Sequence, residues 1–538
     1  MNRKRQSYVE GALTLIVAGF IVKVIGAVFK IPLYNVIGGQ AMSYFTVAYD
    51  VYVWMYIITT AGLPVGVSRM VSESNAKGMY DNSKRILFVA TVSFSALGVL
   101  GFAFLFYFAS RIADVMGNPS STYAIKVIAP AILFEIIMSA YRGYYQGNQN
   151  MVPTAISQIL VALAKLSGGV LVARYILRMG LPQSQMLPMA AAGAISGVTL
   201  GTVLGALYLV LRMTITKGAN PIVVEPNPEL EPHVVLLRRL VSITLPIAVG
   251  SMVASVSNLV DTSLIMRRLI ASGVEQQLAE TLFGTYSGMA RTLFNLPSAL
   301  IIPIGISAIP TIAESFSTQR KESTIHTISS TLRLSTLLSM PAGFGFIFMA
   351  GPVLSLLYGA RPAEVAISTP LLSMLGFAVT FICLDSITNS VLQAIGLERV
   401  PVITMLAGGL IKILSTHYLV AAWGITGAPI STILCYLSIT IMNFSVLRWK
   451  LGKIVHYSDL FIRPAVCSVV GCGCSRLTYA VLARVMRDSI ATAIAIGVAV
   501  VLYVCMVLIT RALRKSDVLL LPFGEKMAKT LEKRGWIR

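Results

Sequence analysis

Five cations stand inside runs otherwise too apolar to carry charge: Lys23 and Lys30 in the first, then Lys165, Arg291 and Lys412. At 1.5 Å per helical residue, Lys23, Lys165, Arg291 and Lys412 lie roughly 15–20 Å into their runs, near the middle of a bilayer. Lys30 lies further along the first run. A charge at that depth costs about 3 kcal/mol or more unless it meets water, a partner or a substrate. Acidic counterparts are scarcer, with Glu135 near the middle of its run, Asp385 toward one end, and Asp50 and Asp261 toward the other. Internal ion pairs such as Glu135 with Lys165 are one reading of any single residue. Five cations cannot all be neutralised by one midplane carboxylate, so the surplus points to a wet cavity that accepts an anion. Asp50, Arg69, Glu135 and Asp385 are the candidates for gating or ion coupling. Arg69 and Arg142 sit at span ends, where plain anchoring competes with a substrate role.

Other chemistries find no support in the residues. The four histidines (His233, His326, His417, His456) are scattered and lack metal-ligand spacing. The six cysteines lie in apolar stretches, and Cys472-Gly473-Cys474 has no second ligand pair, so it reads as small-residue packing. There is no phosphate-binding loop, no nucleophile–histidine–acid constellation and no nucleic-acid motif, despite a net charge of +21. We expect a protein that is not an enzyme and needs no cofactor or metal. Its energy would come from a gradient, the membrane potential or the substrate itself.

The elements that hold these charges are membrane helices. Of 538 residues, 56% are hydrophobic and only 12% charged, against about 25% charged in soluble domains. Runs such as Gly11 to Phe29, Ile86 to Tyr107 and Thr492 to Ile509 are long enough to cross a ~30 Å hydrocarbon core. No cleavage site closes the first run, so it is expected to be retained. Hydropathy gives about fourteen spans, centred near residues 22, 57, 97, 134, 164, 200, 251, 294, 338, 380, 411, 436, 472 and 499. Most of the 43 Lys and Arg fall on the side of the N-terminus when loops are assigned alternately. The positive-inside rule then puts both termini in the cytoplasm of a bacterial plasma membrane. Tyr8, Tyr44, Tyr49, Tyr52, Trp54 and Tyr56 read first as interfacial aromatics.

A Pro-rich, acidic connection divides the chain. The expected organisation is an N-terminal six-helix lobe (1–215), a cytoplasmic linker (216–233), a second six-helix lobe (234–450), two extra helices (451–512) and an amphipathic cytoplasmic tail (513–538). Three pairs of segments keep their order across the linker. Pro64-Val65-Gly66-Val67-Ser68 returns as Pro303-Ile304-Gly305-Ile306-Ser307; Gln146 to Pro153 with Lys165 returns as Gln393 to Pro401 with Lys412; Gly193-Ala194-Ile195-Ser196 returns near Gly427. Three pairs in register imply a duplication. Six spans per unit is even, so the halves share orientation. Pro64, Gly66, Pro303 and Gly305 then mark bending points. Gly193, Gly197, Gly201 and Gly205, at four-residue spacing, form a stripe for close helix packing.

At Gly62-Leu63-Pro64-x-Gly66-x-Ser68-Arg69, then Glu73 to Gly78, and at Gly143-Tyr144-Tyr145-Gln146-Gly147-Asn148-Gln149-Asn150-Met151-Val152-Pro153-Thr154, the chain resembles the polysaccharide-biosynthesis branch of the MOP exporters. This is the group of stage V sporulation protein B and the MurJ-type lipid II flippases, and the likeness runs over essentially the whole chain. The resemblance implies an all-α fold with two six-helix lobes forming a V around a central cavity, plus two C-terminal helices making a groove for a polyprenyl tail. It implies a polyprenyl-diphosphate-linked saccharide as substrate, with membrane lipids, and the membrane potential or a coupling ion, as further partners. Lys23 stands where the family tends to place an arginine before Val-x-Gly. Lys30 falls one position from a second expected cation, Arg291 fits the cation ahead of the Pro297 turn, and the arginine expected near Tyr56 is missing. Two other readings remain: a multidrug or cation antiporter, which wants a midplane acid, and a membrane glycosyltransferase, which wants paired carboxylates.

Overall fold

No water in a bilayer core can satisfy peptide N–H and C=O groups, so long apolar runs close their hydrogen bonds internally as helices. The structure, a computed structural model, describes residues 8–219, 230–452, 454, 457–514 and 517. Among the described residues it is all α, with no strand. The helices are, in chain order, α1 (Tyr8–Thr60), α2 (Leu63–Ala76), α3 (Tyr80–Tyr107), α4 (Ala109–Val115), α5 (Thr122–Ile128), α6 (Ala131–Gly147), α7 (Val152–Arg178), α8 (Gln183–Ala219), α9 (His233–Ala271) and α10 (Gln276–Thr285). A π-helical turn, Tyr286–Ala290, leads into α11 (Arg291–Phe294), and α12 (Leu296–Ser317), α13 (Lys321–Tyr358), α14 (Pro362–Ala394), α15 (Arg399–Trp423), α16 (Gly427–Leu451), α17 (Arg463–Leu482) and α18 (Asp488–Ile509) follow. The basic start Met1–Arg5, the Pro-rich part of the expected linker (220–229) and the expected amphipathic tail beyond 517 lie outside the described residues.

Every expected span centre falls on helix. Eleven segments of the described residues are long and apolar enough to cross a membrane. Two of these segments hold two spans each. The first two spans meet with no loop, at Gly38 (φ 75°, ψ 177°), where only glycine adopts the backbone without strain. The spans of α15 and α16 meet at a short 3₁₀ turn opened by Gly424 at φ 60°. The centre near residue 251 lies on α9.

The residues divide into two compact units, Met1–Arg267 with Glu275–Gly284, and Arg268–Val274 with Thr285–Arg538. In the first unit the glycine stripe of α8 faces α7. A Cβ at Gly201 would come within 2.8 Å of the Val161 carbonyl, and one at Gly205 within 2.7 Å of the Met138 sulfur. The two motifs that carried the family resemblance pack on each other. Gly143 and Gly147 of α6 approach α2 so closely that an added Cβ would sit 2.7 Å from the Pro64 or Ser68 carbonyl. Ser72 Oγ donates to the Gly147 carbonyl at 3.0 Å, and Asn75 Nδ2 to Asn148 Oδ1 at 3.2 Å.

The two Pro-x-Gly-x-Ser copies occupy different backbone settings. Pro64 is in the first turn of α2, after a break at Ala61–Gly62, where a missing N–H costs nothing. Pro303 lies inside the continuous α12, and Gly305 there packs on Ser390 of α14. In the second unit the hairpin α17–α18 lies on α13. Tyr503 Oη donates to the Leu337 carbonyl at 2.6 Å, and the buried Arg333 binds Asp517 through two nitrogens, at 2.7 and 3.1 Å.

Candidate functional site

The first unit builds its polar interior from α1, α6 and α7. Phe45, Tyr49, Tyr52 and Tyr56 recur every three or four residues on α1, which places them on one helix face. Their rings follow one another at centroid spacings of 5.9, 6.1 and 6.1 Å. Phe29 joins this ladder 6.0 Å from Phe45. Two of the tyrosines read as interfacial, Tyr44 and Tyr52, are packed inside the protein, 2% and 6% exposed.

Lys165, midway along α7, reaches this ladder. Its Nζ lies 4.1 Å from the ring centre of Tyr49 and 5.3 Å from that of Phe29. Among the described residues no carboxylate comes within ion-pair distance of it. Glu135, the partner that sequence offered, is taken by Arg142 two turns along the same helix, at 3.2 Å. Both side chains are buried, at 8% and 11% exposure. The Arg142 Nε donates to Ser157 Oγ on α7 at 3.0 Å, and Ser157 donates onward to the Thr154 carbonyl. Arg142 is therefore folded into the helix packing and not splayed at a span end. Tyr52 and Tyr56 lie within electrostatic reach of both charges.

The remaining first-unit candidates are dispersed. Lys23 is on an exposed stretch of α1, and Lys30 is half-buried one to two turns further on. Asp50 accepts from Thr262 Oγ1 of α9 at 2.7 Å. Arg69 is exposed and pairs with Glu73 one turn on, at 2.9 Å, and Glu73 also binds Arg239 of α9. A cluster that sequence reasoning missed lies beside the Gly38 kink. The buried Glu280 of α10 accepts from Tyr44 Oη at 2.6 Å and Gln40 Nε2 at 3.0 Å through one oxygen, and from Gln276 Nε2 at 2.9 Å through the other. The i, i+4 pairs Gln40/Tyr44 and Gln276/Glu280 were its only local signal.

In the second unit, Asp385 of α14 is 6% exposed and sits in a network of neutral groups. Asn389 Nδ2 donates to it at 3.1 Å and Asn443 Nδ2 of α16 at 3.4 Å. Asn443 also donates to Thr388 at 3.0 Å, while Thr404 Oγ1 of α15 donates to the Asn443 carbonyl oxygen at 2.9 Å. Arg291 emerges directly from the π-helical turn, a local insertion that often marks a functional place in a helix. Lys412 of α15 is half-buried. Arg291, Lys412 and Asp385 all act electrostatically on the Tyr436 hydroxyl of α16, so the second unit brings these three candidates into one neighbourhood. An apolar groove of about 420 Å³ lies between α13, α14 and α17, walled by Phe344, Ile347, Phe377, Phe381 and Phe461 among others. Among the described residues no cluster of side chains could hold a metal ion.

Long apolar helices in two units, with ionisable side chains held inside them, define the class: a multi-pass membrane protein. Solved structures share its fold. The chain is similar to a structure described as lipid II flippase MurJ in an inward closed conformation, with a TM-score of 0.68 and 13% identity, covering 92% of this chain and 98% of the other. It is also similar to an inward-facing multidrug resistance MATE family transporter of the MOP superfamily, with a TM-score of 0.59 and 15% identity over 80% of this chain and 98% of that one. The chain belongs to the family described as polysaccharide biosynthesis protein, which it matches over residues 8–316. Among curated relatives it is 24% identical to stage V sporulation protein B of Bacillus subtilis (strain 168), over 96% of this chain and 98% of the relative. It is 24% identical to the lipid II flippase MurJ of the same organism, over 82% and 83%.

Proposed function

We propose that the protein is a flippase that carries a polyprenyl-diphosphate-linked saccharide from the inner to the outer leaflet, with both termini cytoplasmic, by alternating access. The observation that carries this reading is Lys165, a cation inside an apolar helix whose nearby carboxylate is already taken by Arg142. A charge kept without a neutralising partner inside a transporter fold is suited to an anionic group on the substrate. Lys23, Lys30, Arg291 and Lys412 would add to the field that meets the diphosphate. The groove beside α17 suits the polyprenyl tail by its walls of phenylalanine and aliphatic side chains. Pro64 and Gly66, with Pro303 and Gly305, would absorb bending. Asp50, Arg69, Glu135 and Asp385 remain candidates for gating or coupling to an ion or to the membrane potential. The lipid II flippase relative and the family membership support the substrate class.

A second reading, a cation-coupled antiporter, is favoured by Asp385, which has no cation within ion-pair distance among the described residues. Purified protein in vesicles should move a fluorescent lipid-linked saccharide between leaflets, and Lys165→Ala should slow that movement at least tenfold. Drug efflux driven by an ion gradient, with no movement of the lipid, would select the second reading.

A further inference from the structure

We infer that Tyr49 and Phe29 are positioning residues for Lys165, a two-ring bracket that holds its ammonium inside the membrane without cancelling its charge, so that it can bind a phosphate or diphosphate anion. The inference rests on the proposed flippase only for the identity of that anion.

The two buried cations of α6 and α7 show why the bracket matters. Arg142 meets the carboxylate of Glu135, and the pair is neutral. Lys165, on the next helix, meets two ring faces and, among the described residues, no carboxylate. An aromatic face attracts a cation through its quadrupole but carries no net charge. The ammonium is therefore stabilised and its full positive charge remains available. Without such a contact, the flexible four-carbon stem would withdraw the head toward the membrane surface. The rings are themselves fixed. Phe29 is fully buried and packs 6.0 Å from Phe45, and Phe45 stacks on Tyr49 with only 8° between planes. Tyr49 and Lys165 are each half-buried, so the bracket does not seal the lysine off.

The test replaces Tyr49 by phenylalanine and then by mono-, di- and trifluorophenylalanine, which change ring electrostatics at nearly constant shape. Inorganic pyrophosphate is titrated onto the purified full-length protein, and vesicles report transport of a fluorescent lipid-linked saccharide. The expected result is unchanged binding for Tyr49→Phe and a stepwise fall with each fluorine, reaching roughly tenfold for the last. Tyr49→Glu, which supplies a counter-ion, should abolish pyrophosphate binding while the protein stays monodisperse. In a Lys165→Met background the fluorine series should be flat. Wild-type protein that does not bind pyrophosphate, a flat series in the wild-type background, or a slope that persists without Lys165 overturns the bracket. Pyrophosphate binding that follows the series with no transport of the lipid keeps the bracket and sinks the flippase. Transport with a flat series does the reverse.

Discussion

The repeat register read from the sequence lets corresponding positions of the two units be compared. The offset that carries Gln146 onto Gln393 and Lys165 onto Lys412 also carries Met138 onto Asp385, Arg142 onto Asn389 and Ser157 onto Thr404. Past the one-residue insertion at Pro429, the offset that carries Ser196 onto Ser431 places Tyr208 on Asn443. The contacts at these positions differ between the units. Met138 belongs to an apolar cluster against which Tyr208 packs, whereas Asp385 and Asn443 share a hydrogen bond. Arg142 reaches Ser157, whereas Asn389 and Thr404 both hydrogen-bond to Asn443. The first unit therefore holds a formal ion pair beside an apolar contact, and the second a lone carboxylate among amides and hydroxyls. Backbone packing tolerates either solution, because each satisfies its buried polar groups internally.

Removing one partner of the first unit's ion pair should have the largest effect. Arg142→Ala leaves Glu135 buried and unpaired, and should cost about 3–5 kcal/mol. Thermal unfolding in mild detergent measures it, and Glu135→Gln combined with Arg142→Met should recover most of the loss. If the single and double variants unfold together, the pair is not what the first unit relies on. The second unit offers a smaller effect. Asp385→Met strands the Asn389 donor, while Asn443 keeps Thr388 and Asn389 as acceptors, and should cost about 1–3 kcal/mol. Adding Asn443→Leu replaces the hydrogen bond by an apolar pair and should restore part of that stability; a further fall would show that this place in the second unit does not accept an apolar contact. The smallest effect belongs to Arg69→Ala, since its pair with Glu73 is exposed and worth under about 1 kcal/mol. Its unfolding midpoint should stay within error of the parent protein.

Much of the fold was legible because apolar periodicity and length fix membrane helices directly. The span centres, the glycine stripe of α8 and the family motifs all rested on local patterns. The partners of the charges were not legible. Glu135 could be matched with Lys165 by depth alone, but the choice of Arg142 depends on how α6 turns its face to α7. Asn443 carries no charge, so nothing in its apolar surroundings singled it out. Tyr49 and Tyr52 were legible as one helix face, but not the side chain of α7 that meets it. Glu280 stands near Tyr44 because α10 packs on α1 just past Gly38, where Gly284 abuts Gly39 and Ser43, and that contact joins distant stretches of the chain.

The ion pair between Arg333 and Asp517 bears on the order in which the chain is made. Its partners are 184 residues apart, and both are buried. A ribosome that has just released α13 has already committed a guanidinium to the second unit, long before its carboxylate exists. The second unit is thus finished by almost the last described residue of the chain. A stop codon placed after α18 but before Asp517 would leave every apolar span intact and still remove the anion that closes this core.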